Sequence, residues 1–472
     1  MNKPIPTPGF ARPQFVEEAR KRLDALCKEH PGIETVDAVL SDICGTLRGK
    51  RLPAGGTSQL FETGMQIPQS IYMMDASGEM VNPFGRGISD GDPDGTAWPI
   101  PETISRVWGD GGKRAQVLMT LRDANGAVHP AEPRAALERV LERFAGMKLT
   151  PVAALELEFY LIDRQRAPGG APLPPIDPAS GQRECTNSVY GIDDLDRYGA
   201  FLASLGEAAQ VQNIPMSATS KEYAPGQFEA NLRHQKETIL AADHCVFLKQ
   251  AIKAAAKANG FDATFMAKPY PDRAGTGLHV HVSVLDEEGR NIFDDGSEMG
   301  SDRLRHAIGG MQALMPGSMA LFAPSLNSYR RFQPDMFAPV NRRWGVNNRS
   351  VGLRIPMSPG IARRVEHRVA GADANPYLAL AALLAGVHHG LTQKLDPGPP
   401  VVGDGYEAAA KMGVRLPANW FAATDAFAAS ATMRAYLGER FVDMFTTVKR
   451  TEQDRFFAEV PPIDFDWCLK NA

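Results

Sequence analysis

The chain has 472 residues, 43% of them hydrophobic and 22% charged, with a formal net charge of −4. That length supports more than one domain around a large core, and the near-neutral balance excludes a strong field for nucleic acid or an anionic membrane surface. The Pro-rich start (MNKPIPTPGFARPQ) lacks the apolar centre of a secretory leader, the longest apolar run (376–387) falls short of the roughly 20 residues of a membrane span, and five dispersed cysteines without CxxC spacing read as reduced thiols of a cytoplasmic protein.

From the N-terminus, residues 14–30 (QFVEEARKRLDALCKEH) have the spacing of a short amphipathic helix, and TVDAVLSDICGTLRGKRLP reads as strand, turn and strand. Residues 57–112 are rich in Gly, Pro and Asp, so SDGDPDGTAWPIP is expected to be mostly loop. AQVLMTLRD followed by Asn125-Gly126 predicts a hairpin. Residues 1–128 are thus expected to form a small β-rich domain. The texture changes at AEPRAALERVLERFAGMKL, where Pro133 suits a first helical turn, Leu137, Val140, Leu141 and Phe144 share a face, and Gly146 suits the stop. LELEFYLID (155–163) reads as a buried strand. A polar loop and helices over about 193–212 and 235–259 follow, with SATSKEYAPGQFEANL between the helices. Strands are expected near TFMAKPY, GLHVHVSV, GLRIPM and RRVEHRV, and the end is mostly helical. Residues 129–472 are therefore expected to form a larger α+β domain with an antiparallel sheet flanked by helices.

Four of these segments carry polar residues on one face. Alternation puts Glu156 and Glu158 on one side of LELEFYLID, His279, His281 and Ser283 on one side of GLHVHVSV, and Arg364, Glu366 and Arg368 on one side of RRVEHRV. Glu222 and Glu229 flank a Pro-Gly turn that would return both carboxylates to one place. A solvated strand face explains any one of these. Four together point to divalent metal, because like charges cannot stay ionised and dry without something positive. Five carboxylates and an imidazole suffice for two sites, and mostly oxygen donors favour Mg²⁺ or Mn²⁺ over zinc. Arg330, Arg331, Arg349, Arg354, Arg363, Arg364 and Arg368 add planar donors for carboxylate or phosphate, whereas each alone would be an ordinary surface ion pair. No P-loop, GxGxxG helix start or GxSxG occurs.

ELEFYLI, KEYAPGQFE, GTGLHVHVS, NSYRRF, NNRSVGLRIP and RRVEHR followed by ANPYLALAALLAG, in this order and spacing, resemble the glutamine synthetase family from about residue 34 onward. The resemblance implies a β-grasp-like N-terminal domain (1–128), a glutamine synthetase-type catalytic domain (129–472), and homo-oligomers of stacked hexameric rings. It also implies activation of glutamate by ATP as γ-glutamyl phosphate for attack by an amine. Position by position it implies a first metal at Glu158, Glu222 and Glu229 and a second at Glu156, His279 and Glu366. Nucleotide contacts fall on His281, Ser283 and Arg364, glutamate contacts on Arg331, Arg368 and the Gly275 backbone, and transferred-phosphoryl contacts on Arg349 and Arg354.

The chain departs from the family at the amine end. Phe337 stands where the usual lid glutamate binds ammonium, Ala274 replaces an asparagine, and Ile361 replaces a lysine. A phenyl ring adds apolar surface where an anion is usual. The pattern is similar to the branch that ligates glutamate to polyamines or alkylamines, with putrescine as an example acceptor. Asp90, Asp92 and Asp94 offer a place for a second ammonium, or simply solvate a loop. The alternatives are an ordinary ammonium-using glutamine synthetase and a catalytically inactive ring-forming binding protein.

Overall fold

The computed structural model describes residues 13–82, 88–123, 125–333, 338–339, 341–411 and 416–470. Helix α1 (Val16–Glu29) buries Val16, Ala19 and Leu23 at helical spacing beside α2 (Ser58–Glu62) and the first sheet. That sheet holds β1 (Thr35–Ser41), β2 (Leu47–Pro53), β3 (Met65–Pro68), β4 (Asp94–Pro99), β5 (Ser105–Arg106) and β6 (Arg114–Arg122). Its order is β2-β1-β6-β4-β3, with β5 beside β6. Only β1 and β6 run parallel, and the long stretch between them supplies the crossover. A helix on a mixed sheet of this kind is β-grasp-like.

The expectation of loop over SDGDPDGTAWPIP is corrected here. Gly95–Pro99 is buried between β3 and β6, with Thr96 and Ala97 paired to both, and Trp98 is among the most enclosed side chains. The Gly and Asp signal is real but serves a close approach: a Cβ on Gly95 would sit 2.9 Å from the Arg122 carbonyl. After Asn125-Gly126 the return limb makes a single bridge, Arg122 to Val128, so the predicted hairpin is short.

The second sheet holds β7 (Thr150–Asp163), β8 (Met216–Lys221), β9 (Gln227–Leu232), β10 (Phe261–Thr264), β11 (Leu278–Leu285), β12 (Trp344–Val346), β13 (Leu353–Ile355) and β14 (Val365–His367). The order is β12-β13-β14-β11-β7-β9-β8, with β10 beside β7. All neighbours are antiparallel except β12 and β13. The strand expected near TFMAKPY ends at Thr264; Pro269 and Pro271, which lack a donor, lie beyond it. The helices are α3 (Pro133–Gly146), α4 (Ile192–Arg197), α5 (Gly199–Val211), α6 (Thr238–Ala258), α7 (Asp302–Phe322), α8 (Leu326–Arg330) and α9 (Pro376–Gln393), then α10 (Gly405–Lys411), α11 (Trp420–Ala429), α12 (Ala431–Leu437), α13 (Glu439–Ala458) and α14 (Pro462–Cys468). The helix expected over 193–212 is broken at Tyr198, whose buried hydroxyl donates to Glu184. Among the described residues no helix is long and apolar enough to cross a membrane.

One face of the second sheet is apolar: Leu155, Leu157, Phe159, Val280 and Val282 are buried in the core, with α6 packed on β7. The polar alternates take the other face. Helix α9 is apolar all round and buried, with Asn375 capping Tyr377 and Leu378 and Pro376 in the first turn. The Asn375 amide also donates to the Asp42 carbonyl, tying the first sheet to α9. Helix α7 lies on α9 where glycines meet: a Cβ on Gly310 would come 2.1 Å from the Gly386 carbonyl and 2.3 Å from the Gly390 nitrogen. We expect Gly310→Ala to lower the thermal midpoint, with a loss of about 1–3 kcal/mol or more from overpacking against backbone. Gly206→Ala, in open space on α5, is expected to leave the midpoint unchanged or raise it. Thermal scans of the two variants check this, and an unaffected Gly310→Ala would contradict the packing.

Candidate active site

Register builds the site. Antiparallel pairing sets Glu156 opposite His279, Glu158 opposite Glu229, and His281 opposite Glu366. Residues paired this way have Cβ atoms about 4.5–5.5 Å apart, so four strands converge their polar side chains on one patch. His279 lies in the middle. Its Nδ1 is 3.5 Å from Glu156 and 3.8 Å from Glu229, and its Nε2 is 3.7 Å from Glu158. Nδ1 is buried and makes no hydrogen bond.

Two groups of potential ligand atoms result: Glu156, His279 and Glu366, and Glu158, Glu229 and His279. Both fit a divalent cation, on the chemistry of the donors and on the unbonded His279 nitrogen. The electrostatics agree. Burial and the charge of Glu158 push Glu222 up to about 8, and burial with Glu156, Glu158 and Glu222 pushes Glu229 up to about 9. These carboxylates cannot all ionise unless a cation joins them. Burial would also raise Glu156, but His279 and His281 beside it hold it well below the usual carboxylate range. Glu366 is likewise buried, yet Arg368 and the histidines bring it down to about 2. Glu222 stands outside the tight groups, 3.4 Å from the Ser220 hydroxyl, near enough to feel Glu158.

Arginines ring the patch. Glu366 accepts from Arg354 at 2.9 Å and from Arg368. Arg354 also reaches Asn347 at 2.9 Å. Arg364 Nε donates to His281 Nδ1 at 3.0 Å, and His281 Nε2 meets Glu156 at 2.8 Å. The donor on one side fixes the tautomer, so Nε2–H donates to Glu156. His281 thus spends both nitrogens on protein groups and aims Arg364. Arg331 is buried and donates to the Val369 carbonyl at 2.7 Å, next to Gly275. Arg349 lies further out in a surface hollow with Asn347 and Asn348, 3.4 Å from the Tyr190 hydroxyl. Ser283 is buried on the same strand face as His281. Phe337 lies outside the described residues. Asp92 accepts from the Ser70 backbone and hydroxyl, which gives it a structural task. Ile361 is exposed, and the Ala274 carbonyl accepts from Tyr160 at 2.7 Å.

Two positions that touch this patch escaped the sequence reading. Gln227 Nε2 donates to Glu158 at 3.3 Å and to the Gly275 carbonyl at 3.0 Å. Gly277 donates its backbone N–H to Glu158 at 2.8 Å, and a Cβ there would lie 2.9 Å from His279 Nε2 and 3.0 Å from Arg331 Nη2. The signals were present as the Q of PGQFE and the second glycine of GTGLH, but only the fold shows what they approach.

Comparison with known proteins bears on what this patch can do. Residues 130–468 match the model of the glutamine synthetase catalytic domain. The chain is 40% identical over 458 residues to gamma-glutamylputrescine synthetase PuuA of Escherichia coli (strain K12), covering 97% of this chain and 95% of that protein. It is 32% identical to a glutamate–isopropylamine ligase of Pseudomonas sp, covering 89% and 92%. The solved structure of a GmaS/ADP complex superposes with a TM-score of 0.83 at 27% identity, covering 95% and 99%. With the strand register and the clustered carboxylates, these matches establish that this chain belongs to the glutamine synthetase family.

Proposed function

We propose that this chain ligates glutamate to an alkylamine or polyamine, using ATP and two divalent cations, Mg²⁺ or Mn²⁺, per site. It is an ATP-dependent carbon–nitrogen ligase of glutamine synthetase type. The observation that carries this reading is the single sheet face where Glu156, Glu158, Glu229, Glu366 and His279 meet under a ring of arginines. Two relatives named for putrescine and isopropylamine support an organic amine over ammonium, as does the sequence match of Phe337 to the position where the family usually has a lid glutamate.

Glutamate binds through Arg331, Arg368 and the Gly275 backbone. Its γ-carboxylate oxygen attacks the γ-phosphorus of ATP, and ADP leaves. The ammonium form of the amine first gives one proton to solvent, the neutral nitrogen then attacks the acyl carbon, phosphate leaves, and the nitrogen gives up a second proton. Glu222, which must first give up its own proton to ligate a cation, is then placed to take such a proton. Arg349 and Arg354 stabilise the charge of the transferring phosphoryl group. Arg364, aimed by His281, and Ser283 meet the nucleotide. Glu158, Glu222 and Glu229 would hold one cation, and Glu156, His279 and Glu366 the other. Bound there, the cations neutralise the carboxylates and polarise the phosphoryl oxygens.

The domain division after residue 128 is supported by the first sheet ending at Arg122 and by the catalytic-domain match beginning at 130. Assembly as stacked hexameric rings is supported by exposed apolar side chains near the C-terminus, Phe457, Phe465 and Leu469. A cytoplasmic setting is supported by five free cysteines.

Two outcomes are expected. With ammonium, putrescine, monoalkylamines and ethanolamine compared on one preparation, ADP release is fastest with an organic amine; fastest turnover with ammonium at millimolar concentration or below would favour an ordinary glutamine synthetase, and no amine-dependent ADP release an inactive ring. Metal binding to the metal-free protein is expected to release protons. Glu222 and Glu229, raised to about 8 and about 9, are protonated at pH 7 and must lose those protons to ligate. Affinity for Mg²⁺ or Mn²⁺ therefore rises with pH between about 7 and 9, and proton release fades above that range. Calorimetry in buffers of different ionisation enthalpy reads both, and a pH-independent affinity would contradict the assignment.

A further inference from the structure

Lys221 closes β8, and its side chain is fully buried. A buried ammonium is costly unless its three hydrogens meet acceptors. Here Nζ donates to the carbonyls of Glu222 at 3.0 Å and Ala224 at 2.7 Å, stands 3.7 Å from Glu184, and lies 5.6 Å from the centre of the Phe228 ring. Glu184 is almost as buried. Its other oxygen accepts from the Tyr198 hydroxyl at 2.9 Å and from the Gly226 backbone at 2.7 Å. The pair therefore grips the turn at Glu222, Ala224 and Gly226 from inside.

That turn carries Glu222 at one end and Gln227 at the other, and Gln227 reaches Glu158. Glu184 belongs to a segment that runs alongside the turn. Ser188 N–H donates to the Tyr223 carbonyl and Tyr190 N–H to the Lys221 carbonyl, each at 3.0 Å. Tyr190 adopts a left-handed backbone conformation, φ 56°, which a non-glycine residue takes only where its surroundings impose it. In that conformation its hydroxyl meets Arg349 at 3.4 Å.

We infer that the buried Lys221–Glu184 pair is a positioning device for the reaction: it sets the turn that presents Glu222 to the amine and, through residues 184–190, ties that turn to Arg349. Neither residue touches substrate. The inference rests on the reading of Glu222 as the carboxylate of the amine end.

The test compares Lys221→Met/Glu184→Gln with the parent enzyme. The double variant leaves no unpaired buried charge, and the new amide oxygen still accepts from Tyr198 and Gly226. It is expected to assemble as the parent does, with kcat/KM for the amine reduced about 10–100-fold, as a misplacement near 1 Å would give, and KM for ATP changed less than about threefold. Amine kcat/KM within about threefold of the parent would overturn the inference. So would equal losses for amine and ATP together with a lowered thermal midpoint, the mark of a merely structural pair. If the double variant fails to assemble, Glu184→Gln alone is read by the same criteria. Glu222→Gln separates the two levels. Amine-dependent turnover surviving in that variant would remove the reading of Glu222 itself, whereas its loss beside an unaffected pair variant would overturn only the positioning role.

Discussion

Everything in this site depends on the register of four strands. Glu156 faces His279, Glu158 faces Glu229, and His281 faces Glu366 because β7, β9, β11 and β14 pair as they do. Side chains alternate with a period of two, so a slip of one residue in β7 would carry both of its carboxylates into the core and bring Leu155 and Leu157 out. The apolar alternates therefore protect the chemistry. Burial of Leu155, Leu157, Phe159, Val280 and Val282 holds the register, and the register holds the ligands.

The same register concentrates negative charge to a degree the protein alone does not neutralise. Glu366 is satisfied by two arginines, and Glu156 by histidines. Among the described residues, Glu222 and Glu229 accept no hydrogen bond from an arginine or histidine, His279 standing 3.8 Å from Glu229, and burial with the neighbouring carboxylates leaves them their protons. The face is thus divided into a half partly compensated by arginine and histidine and a half that lacks such compensation. That division follows the two ends of the proposed reaction. The arginine-rich end suits phosphate, and the carboxylate-rich end suits an incoming cationic amine. The Lys221–Glu184 pair lies behind the second half and shapes it without adding charge to its surface.

Much of this was legible in sequence. The alternations in LELEFYLID, GLHVHVSV and RRVEHRV mark strands with one polar face, although on β11 and β14 the fold buries that polar face as well. The sequence could not say which polar residues stand opposite which, since Glu156 and His279 are joined only by a pairing more than a hundred residues apart. Thus His279 emerged as shared between both ligand groups, and His281 as the partner of Arg364, only in the fold. Gly and Asp density hid β4, where glycine serves close packing instead of a turn. Tyr198 interrupts a helical pattern for a tertiary reason, its hydrogen bond to Glu184. Nothing in SKEYAPGQFE marks Lys221 as buried, and only the fold shows that it faces inward.

The central claim is that this sheet face holds two divalent cations. Anomalous scattering from crystals of the protein loaded with Mn²⁺ tests it most directly. The account predicts two peaks, one bounded by Glu156, His279 and Glu366 and one bounded by Glu158 and Glu229 with Glu222 drawn in. A face without anomalous density, with Mn²⁺ absent or bound only elsewhere, would contradict it.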